Sequence, residues 1–390
     1  MIAITAATLL TPLERIEQPL LLMEDGSIVE VASRAHRAIP TRSRVVDFPG
    51  GILAPGFIDL HIHGGAGHDV METGGDALAP VERLLARHGV SSYFPTTVTA
   101  PLDATLSSLK QMADAIEAVK DTADHRTRPA ELRSRPQGIH LEGPFISHCR
   151  RGVHPPENLL TPSLSAFDRF WQAARGHIRM LTIAPELPGA IEVITEAAKR
   201  GVCISLGHSD AELNAARAGV AAGARHATHT FNAMRPLGHR DPGVLGEVLT
   251  DERLSADIIA DGIHVDPTVV ELFLKAKGPD AAVLITDATS ATGMPDGCYR
   301  LGSLEVEVKD GKVTNHGNLA GSVLTMDLAV RNVMKFARWD LQQAVRLATL
   351  NPARVAGLGG GWLKPGAPAD LVVLSAQGEV TKTIIQGAGI

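Results

Sequence analysis

Five segments of the chain carry side chains of the types that can bind metal ions, and each of these side chains stands at the end of an apolar run. The first segment is Asp59-Leu60-His61-Ile62-His63. Because successive side chains of a strand point to opposite faces, His61 and His63 lie on the same face. Neutral imidazole is a common ligand of zinc and similar ions. A structural, partly buried histidine pair is the alternative interpretation, since His-x-His alone is not specific.

Three further segments supply the ligands that one metal ion needs. Glu142 stands at the end of an apolar run, where a carboxylate is costly unless it is paired or bound to a metal. The alternative for Glu142 is an ion pair with Arg150 or Arg151. His208 and His229 end two later runs. One carboxylate and two imidazoles, with water in the fourth position, form a typical catalytic zinc set.

The fifth segment, Ile285-Thr286-Asp287-Ala288, places a carboxylate at the end of the last apolar run. An aspartate there can act first as general base and then as general acid. Its alternative role is to cap the following helix. Four other histidines, His68, His140, His148 and His226, are interpreted as structural.

The elements that must position these residues follow a repeating pattern of an apolar run and a helix-like segment. This alternation predicts a (β/α)₈ barrel of α/β class, in which the active site lies at the C-terminal ends of the strands. The eight runs are 56–63, 90–97, 137–145, 178–186, 201–209, 226–233, 254–265 and 282–289.

Both ends of the chain are rich in short β-like segments. An Asp25-Gly26 hairpin signal separates two apolar runs near the start, and two strands follow residue 368. We predict a small β-sandwich domain from residues 1–52 and 355–390, with the catalytic barrel at 53–354; two unrelated terminal hairpins are the alternative. Residues 121–135 are expected to form a solvated loop, and 299–313 a hairpin.

Composition excludes several functional classes. The net charge is −6 and no run of basic residues exceeds a pair, which argues against nucleic-acid binding. No apolar stretch is long enough for a membrane span. The three cysteines are scattered and odd in number, which favours a reducing cytoplasm. An anionic substrate would need a local positive pocket, because the acidic molecule as a whole repels it.

Taken together, the motifs resemble those of the amidohydrolase superfamily and, within it, the N-acetylglucosamine-6-phosphate deacetylase family. The resemblance covers the whole barrel in the family's order. The matching segments are Pro55-Gly56-Phe57-Ile58-Asp59, His140-Leu141-Glu142-Gly143-Pro144-Phe145, Gly152-Val153-His154, Gly207-His208-Ser209, Thr228-His229, Asn232-Ala233-Met234, Asp261-Gly262-Ile263-His264, Thr286-Asp287-Ala288 and Leu319-Ala320-Gly321-Ser322.

The resemblance implies a role for each matching residue. Glu142, His208 and His229 would bind the principal divalent metal, with Zn²⁺ favoured over Fe²⁺, Co²⁺ or Mn²⁺. One or two ions would bind per subunit, and His61 and His63 would bind the second where it is present. The catalytic residues would be Asp287 as acid/base and His154 near the acetyl carbonyl. Arg240 would reach the neighbouring site of a homodimer. The substrate-binding set would be Val153, Asn232, Ala233, Arg240, His264, Leu319, Ala320 and Gly321.

The activity implied by this resemblance is deacetylation of N-acetyl-D-glucosamine 6-phosphate in amino-sugar catabolism or recycling. N-acetylgalactosamine 6-phosphate is the alternative substrate, because it differs in the orientation of one hydroxyl. A ring-opening amidohydrolase typically uses a modified lysine on strand four. The fourth run of this chain ends Ala184-Pro185-Glu186 without a lysine, which counts against that class of enzyme. A non-catalytic scaffold would usually lose ligands that this chain retains.

Overall fold

The computed structural model describes residues 1–121 and 131–390. The central part of the predicted loop, residues 122–130, therefore lies outside the described residues. Within the described part, no helix is both long enough and apolar enough to cross a membrane.

The elements are numbered in chain order. The strands are β1 (Ile2–Leu10), β2 (Arg15–Glu17), β3 (Pro19–Glu24), β4 (Ser27–Ser33), β5 (Arg44–Pro55), β6 (Phe57–Ile62), β7 (Gly64–Gly65), β8 (His68–Asp69), β9 (Val90–Thr97), β10 (Arg135–Pro136), β11 (Ile139–Glu142), β12 (Ile178–Ile183), β13 (Cys203–Leu206), β14 (His226–Ala227), β15 (Ala256–Ile259), β16 (Ala282–Ile285), β17 (Gly297–Leu301), β18 (Leu304–Lys309), β19 (Lys312–Asn315), β20 (Asn318–Leu319), β21 (Leu371–Leu374) and β22 (Val380–Ile384). The α-helices are α1 (Leu78–Arg87), α2 (Leu102–Asp121), α3 (Leu164–Ala173), α4 (Ala190–Lys199), α5 (Leu213–Ala222), α6 (Gly243–Thr250), α7 (Pro267–Ala281), α8 (Met326–Ala337), α9 (Leu341–Leu347) and α10 (Leu350–Ala356). Two short 3₁₀ helices span His148–Arg150 and Pro156–Asn158.

Strands from both ends of the chain form one small β domain. Its seven-stranded sheet has the order β22-β21-β5-β1-β3-β4, with β2 paired to β1. The Asp25-Gly26 turn joins β3 to β4, and both residues have positive φ, as a tight hairpin requires. Ile4, Leu21 and Val373, from separate strands of the sheet, share one apolar cluster. The division at residues 52 and 355 stays a prediction, and β5 runs across the first of these positions.

The eight predicted runs form the barrel strands β6, β9, β11, β12, β13, β14, β15 and β16. Parallel pairing joins the barrel strands in the order β6, β9, β11, β12, β13 and β14, and it also joins β15 to β16. The Thr230 amide donates to the Asp257 carbonyl at 2.9 Å and links β14 to β15. A parallel bridge between Ile62 and Ala288 closes β16 on β6. The prediction of a (β/α)₈ barrel with a β domain from both termini is confirmed.

Helices cover the outside of the barrel because each presents one apolar stripe to the strands. Val81 and Leu85 of α1 pack into the same core as Phe57 of β6. Local signals set several helix starts: Asp266 accepts from the Thr268 amide before α7, and Asp340 and Gln343 form a capping box at α9.

A four-stranded antiparallel sheet, β17 to β20, leaves the barrel after β16. The predicted hairpin lies within it, with the Asp310-Gly311 turn between β18 and β19. Leu301, Val306 and Val313 of this sheet pack against Val98, which follows β9. The sheet therefore rests on the mouth of the barrel, next to the ligand-bearing strand ends.

Candidate active site

The C-terminal ends of β6, β11, β13, β14 and β16 meet at one side of the barrel. Among the described residues, two groups of buried side chains there could hold a metal ion. They are the group of Glu142, His208 and His229, and the group of His61, His63 and Asp287. All six residues were proposed from sequence, and the fold brings them together from five strands.

The first group has the spacing of a shared metal ion. The Nε2 atoms of His208 and His229 lie 3.2 Å and 3.1 Å from Glu142 Oε1, and 3.0 Å from each other. Ligand atoms around a tetrahedral zinc ion lie roughly 3.3 Å apart. These three side chains therefore fit one divalent cation.

The second group lies directly beside the first. Asp287 Oδ1 is 3.3 Å from His61 Nε2 and 3.1 Å from His63 Nε2. Glu142 Oε2 lies 3.4 Å from each of the same two nitrogens. Because its other oxygen faces the first group, Glu142 stands between two candidate ion positions.

Hydrogen bonds on the far side of two rings fix which nitrogen carries the proton. His208 Nδ1 lies 2.8 Å from the Arg150 carbonyl, and His63 Nδ1 lies 3.0 Å from the Thr96 carbonyl. A carbonyl only accepts, so each Nδ1 donates, and the Nε2 of each neutral ring presents a lone pair to the site. Lone pairs converging at about 3 Å repel one another unless a proton or a cation lies between them.

The two carboxylates are held ionised by their surroundings. Burial alone would raise the pKa of Glu142, but the neighbouring imidazoles, His61 foremost, hold it well below its ordinary value. Burial likewise opposes the ionised form of Asp287, whereas His61 and His63 lower its pKa to about 2. Both side chains are thus in the form that binds a cation.

The histidines of the site respond to burial in different ways. Burial lowers the pKa of His208 to about 4, despite its hydrogen bond to Glu142. For His229, burial is outweighed by the hydrogen bond to Glu142, and the pKa rises to about 9. Protons and a cation compete for these nitrogens, so metal affinity is expected to fall as the pH is lowered.

His154 points its Nε2–H into the site. Its Nδ1 accepts a hydrogen bond from the Thr99 backbone amide at 3.2 Å and lies 2.8 Å from Thr99 Oγ1. An amide N–H only donates, so Nδ1 is the acceptor and the neutral ring carries its proton on Nε2. That nitrogen lies 3.6 Å from Glu142 Oε2. It can therefore donate to a developing oxyanion.

The strand ends adopt backbone conformations that non-glycine residues rarely take. His208, His229 and Asp287 have φ of 47°, 31° and 51°. Gly321 packs against the last of these: a Cβ on Gly321 would lie 2.9 Å from the Asp287 carbonyl oxygen. At φ 66° and with this close approach, only glycine fits the position.

A cavity of about 330 Å³ opens above both ligand groups. Its lining includes most of the substrate-binding residues that the sequence proposed, and it also includes five residues that were not proposed to bind the substrate. The proposed ones are Val153, Asn232, Ala233, His264, Leu319, Ala320 and Gly321, and the others are Val98, Cys149, Arg150, Gly152 and Leu301.

The candidate phosphate-binding residues are placed differently from one another. His264 is held by Asp261, whose Oδ2 lies 2.7 Å from its Nδ1. The backbone N–H of Asn232 donates to the His229 carbonyl at 2.9 Å, so it is already paired within the chain and is not free to bind phosphate. Arg240 is exposed and does not line the cavity of its own chain.

The alternative pairing of Glu142 with an arginine does not occur in the described residues. Arg150 instead pairs with Asp210 at 2.8 Å, and Arg151 donates to the His148 carbonyl.

Sequence reasoning missed Thr99 and the buried Asp257, because no local motif marks them. Asp59 stands in the same segment as His61, and its carboxylate accepts from the Thr286 side chain at 2.5 Å.

Comparison with known proteins places these features in a family. A model of the amidohydrolase family matches residues 52–389. The chain is 38% identical to an N-acetylgalactosamine-6-phosphate deacetylase of Escherichia coli O157:H7, over 94% of this chain and 96% of that one. It is 40% identical to a human N-acetylglucosamine-6-phosphate deacetylase, over 87% of this chain and 84% of that one.

A solved structure is similar over nearly the whole length. It is a mutant N-acetyl-D-glucosamine-6-phosphate deacetylase of Mycobacterium smegmatis in complex with N-acetyl-D-glucosamine 6-phosphate. The TM-score is 0.90 at 34% identity, covering 99% of this chain and 98% of that one.

Proposed function

This chain belongs to the amidohydrolase family, and we propose that it hydrolyses N-acetyl-D-glucosamine 6-phosphate to D-glucosamine 6-phosphate and acetate. The reaction breaks a linear amide bond and belongs to amino-sugar catabolism or recycling. One observation carries the proposal: Glu142, His208, His229 and Asp287 converge beneath a single cavity. The relatives of similar length are named deacetylases of phosphorylated amino sugars.

The protein is a divalent-metal enzyme, and the ligand geometry favours Zn²⁺, with Fe²⁺, Co²⁺ or Mn²⁺ as alternatives. Glu142, His208 and His229 would hold the principal ion, and His61 and His63 would hold a second one. A bound ion supplies Lewis acidity, which activates a water molecule and polarises the amide carbonyl.

Asp287 and His154 divide the remaining chemistry. Asp287 accepts a proton from the attacking water as the new C–O bond forms. His154 donates from Nε2–H to the carbonyl oxygen as negative charge develops there. Asp287 then returns its proton to the amide nitrogen as the C–N bond breaks, which releases the amine and acetate.

The remaining cavity residues would hold the phosphorylated sugar. Asn232, Ala233 and His264 would bind phosphate, together with Arg240 of a second subunit, because a planar guanidinium offers paired donors to an anion. The sugar ring and acetyl group would contact Val153, Leu319, Ala320 and Gly321.

Two further features belong to this proposal. The chain is proposed to act as a homodimer in which Arg240 reaches the neighbouring site, and the position of Arg240 outside its own cavity is compatible with that role. It works in the cytoplasm, where its three free cysteines stay reduced.

Acetate release by the purified, metal-loaded protein tests the proposal. We expect turnover of N-acetylglucosamine 6-phosphate. We expect a kcat/KM at least ~10²-fold lower for the unphosphorylated sugar, because without the phosphate the polar groups of the site are left unpaired. Equal rates on both sugars would contradict the phosphate-binding role. If neither sugar released acetate, the proposed deacetylase activity itself would be contradicted.

N-acetylgalactosamine 6-phosphate is a second candidate substrate. The observation that favours it is the 38% identity to a deacetylase named for that sugar. The same assay with both 6-phosphates distinguishes them, because a site that hydrogen-bonds one hydroxyl orientation discriminates against the other. A higher kcat/KM for the galacto sugar would reassign the substrate.

A further inference from the structure

Beneath the metal-ligand group, His226 and Asp257 form a pair with no solvent exposure. Asp257 Oδ2 lies 2.9 Å from His226 Nε2 and accepts a hydrogen bond from its N–H group. Asp257 Oδ1 accepts a hydrogen bond from the backbone amide of His229. One oxygen of this carboxylate therefore holds the neighbouring histidine, and the other holds the main chain of a proposed metal ligand.

The backbone that Asp257 holds is strained. His229 has φ of 31°, and Phe231 two residues later has φ of 81°. Non-glycine residues keep such conformations only where the surrounding contacts impose them. Asp257 contacts this segment twice: its carboxylate accepts from the His229 amide, and its backbone carbonyl accepts from the Thr230 amide.

His229, like His61, lacks a hydrogen-bond partner for Nδ1 among the described residues, and so depends on its backbone more than His208 and His63 do. The Nδ1 atoms of His208 and His63 each donate to a carbonyl, which fixes the direction of each ring. The Nδ1 atom of His229 is buried, and no hydrogen-bond partner is found for it among the described residues. With no such bond, the direction of His229 Nε2 follows from where its main chain is held.

The turns beside His208 and Asp287, which also have positive φ, show the same arrangement. Next to Asp287, the Asp59 carboxylate accepts from the hydroxyl and the amide of Thr286 at 2.5 Å and 3.3 Å. After His208, the Glu186 carboxylate accepts from Ser209 Oγ and the Asp210 amide at 2.8 Å and 2.6 Å. In each case a carboxylate from a neighbouring strand secures the turn beside a site residue.

From these contacts we infer that Asp257, oriented by His226, is a positioning residue that sets the metal affinity of His229. The inference rests on the proposed metal-dependent function. The carboxylate holds the His229 backbone so that Nε2 faces Glu142 and His208. Without this hydrogen bond, the metal affinity falls while the fold is retained, because the strained segment can relax within an intact barrel.

Zinc affinity of the full-length, metal-stripped protein tests the inference, measured by competition with a chromophoric chelator. Asp257→Asn keeps the shape of the side chain but removes its charge and presents an amide where His226 donates. We expect the Kd for Zn²⁺ to rise about 10-fold to 100-fold, the usual effect of losing a partner that orients a metal ligand.

Tyr93→Phe is the matched control. It removes a buried hydrogen bond, from Tyr93 Oη to Glu82 Oε1 at 3.2 Å, and neither of these residues is a proposed metal ligand. We expect its melting temperature without metal to fall while its Kd for Zn²⁺ stays within about twofold of wild type. An Asp257→Asn protein with unchanged Kd and a lowered melting temperature would overturn the inference, since Asp257 would then serve folding alone.

Variants of His226 provide a second measurement if Asp257→Asn does not fold. His226→Gln keeps a donor near the position of Nε2, whereas His226→Leu removes it. We expect zinc affinity to fall more for His226→Leu, and equal affinities for the two would contradict the orienting role. Wild-type protein that binds none of Zn²⁺, Fe²⁺, Co²⁺ and Mn²⁺ would instead overturn the proposed function itself.

Discussion

Asp287 is the residue through which both proton transfers of the proposed reaction pass. Its Oδ1 lies within 3.3 Å of His61 and His63, and those imidazoles keep the carboxylate ionised despite its burial. Its amide is held by the His61 carbonyl at 3.0 Å, and its φ of 51° turns the side chain toward the cavity.

We predict that Asp287→Asn lowers kcat by about 10²-fold or more, because an amide cannot accept the proton. The metal held by Glu142, His208 and His229 should remain. Steady-state kinetics together with metal analysis of the purified variant would check both parts. Near-full turnover with normal metal content would remove Asp287 from the acid/base role.

At the scale of elements, α1 is joined to β9 by a buried polar contact on the far side of the barrel wall from the site. Glu82 of α1 accepts a hydrogen bond from Tyr93 of β9. Burial raises the pKa of Glu82 to about 7, although Tyr93 and Arg133 oppose the shift. Between its unfolded value of 4.5 and about 7, the folded state holds a proton that the unfolded state has lost.

This difference predicts that Glu82 makes the protein less stable as the pH rises from 5 to 7. The unfolded state binds fewer protons across that window, so the free energy of unfolding falls with pH. Glu82→Gln should remove this contribution, about 2 kcal/mol at roughly 1.4 kcal/mol per pH unit. Urea unfolding of both proteins at pH 5 and pH 7 measures it, and parallel pH dependences would contradict the prediction.

At the scale of the whole molecule, the acidic chain carries a net charge of −6 and must still attract a phosphorylated sugar. Arg240 is proposed to supply positive charge to the site of a second subunit. This proposed arrangement would make the complete site a property of the dimer, because neither chain alone would hold all the proposed phosphate donors.

Mixing two inactive variants tests that arrangement. Arg240→Ala protein keeps Asp287, and Asp287→Asn protein keeps Arg240, so one of the two sites in a mixed dimer is complete. Subunit exchange should restore activity to about a quarter of wild type at equal mixing, given a twofold-symmetric dimer. Should the mixture stay as inactive as its components, Arg240 does not act across the interface.

The barrel and the candidate ligand residues could be predicted from the sequence, because both leave local signals. Alternating apolar runs and helical segments set the strand order, and parallel strands place their C-terminal ends on one side of a barrel. His61, Glu142, His208, His229 and Asp287 each follow such a run, so their convergence could be predicted from position alone.

Only the tertiary structure decided what surrounds those residues. His226 and Asp257 are 31 positions apart, and Thr99 and His154 are 55 apart, so no local pattern links either pair. The same holds for the proton on His154 and for the support of the strained His229 backbone. Hydrogen bonds between strands distant in sequence depend on how the barrel closes, and that closure is set by packing of the whole chain.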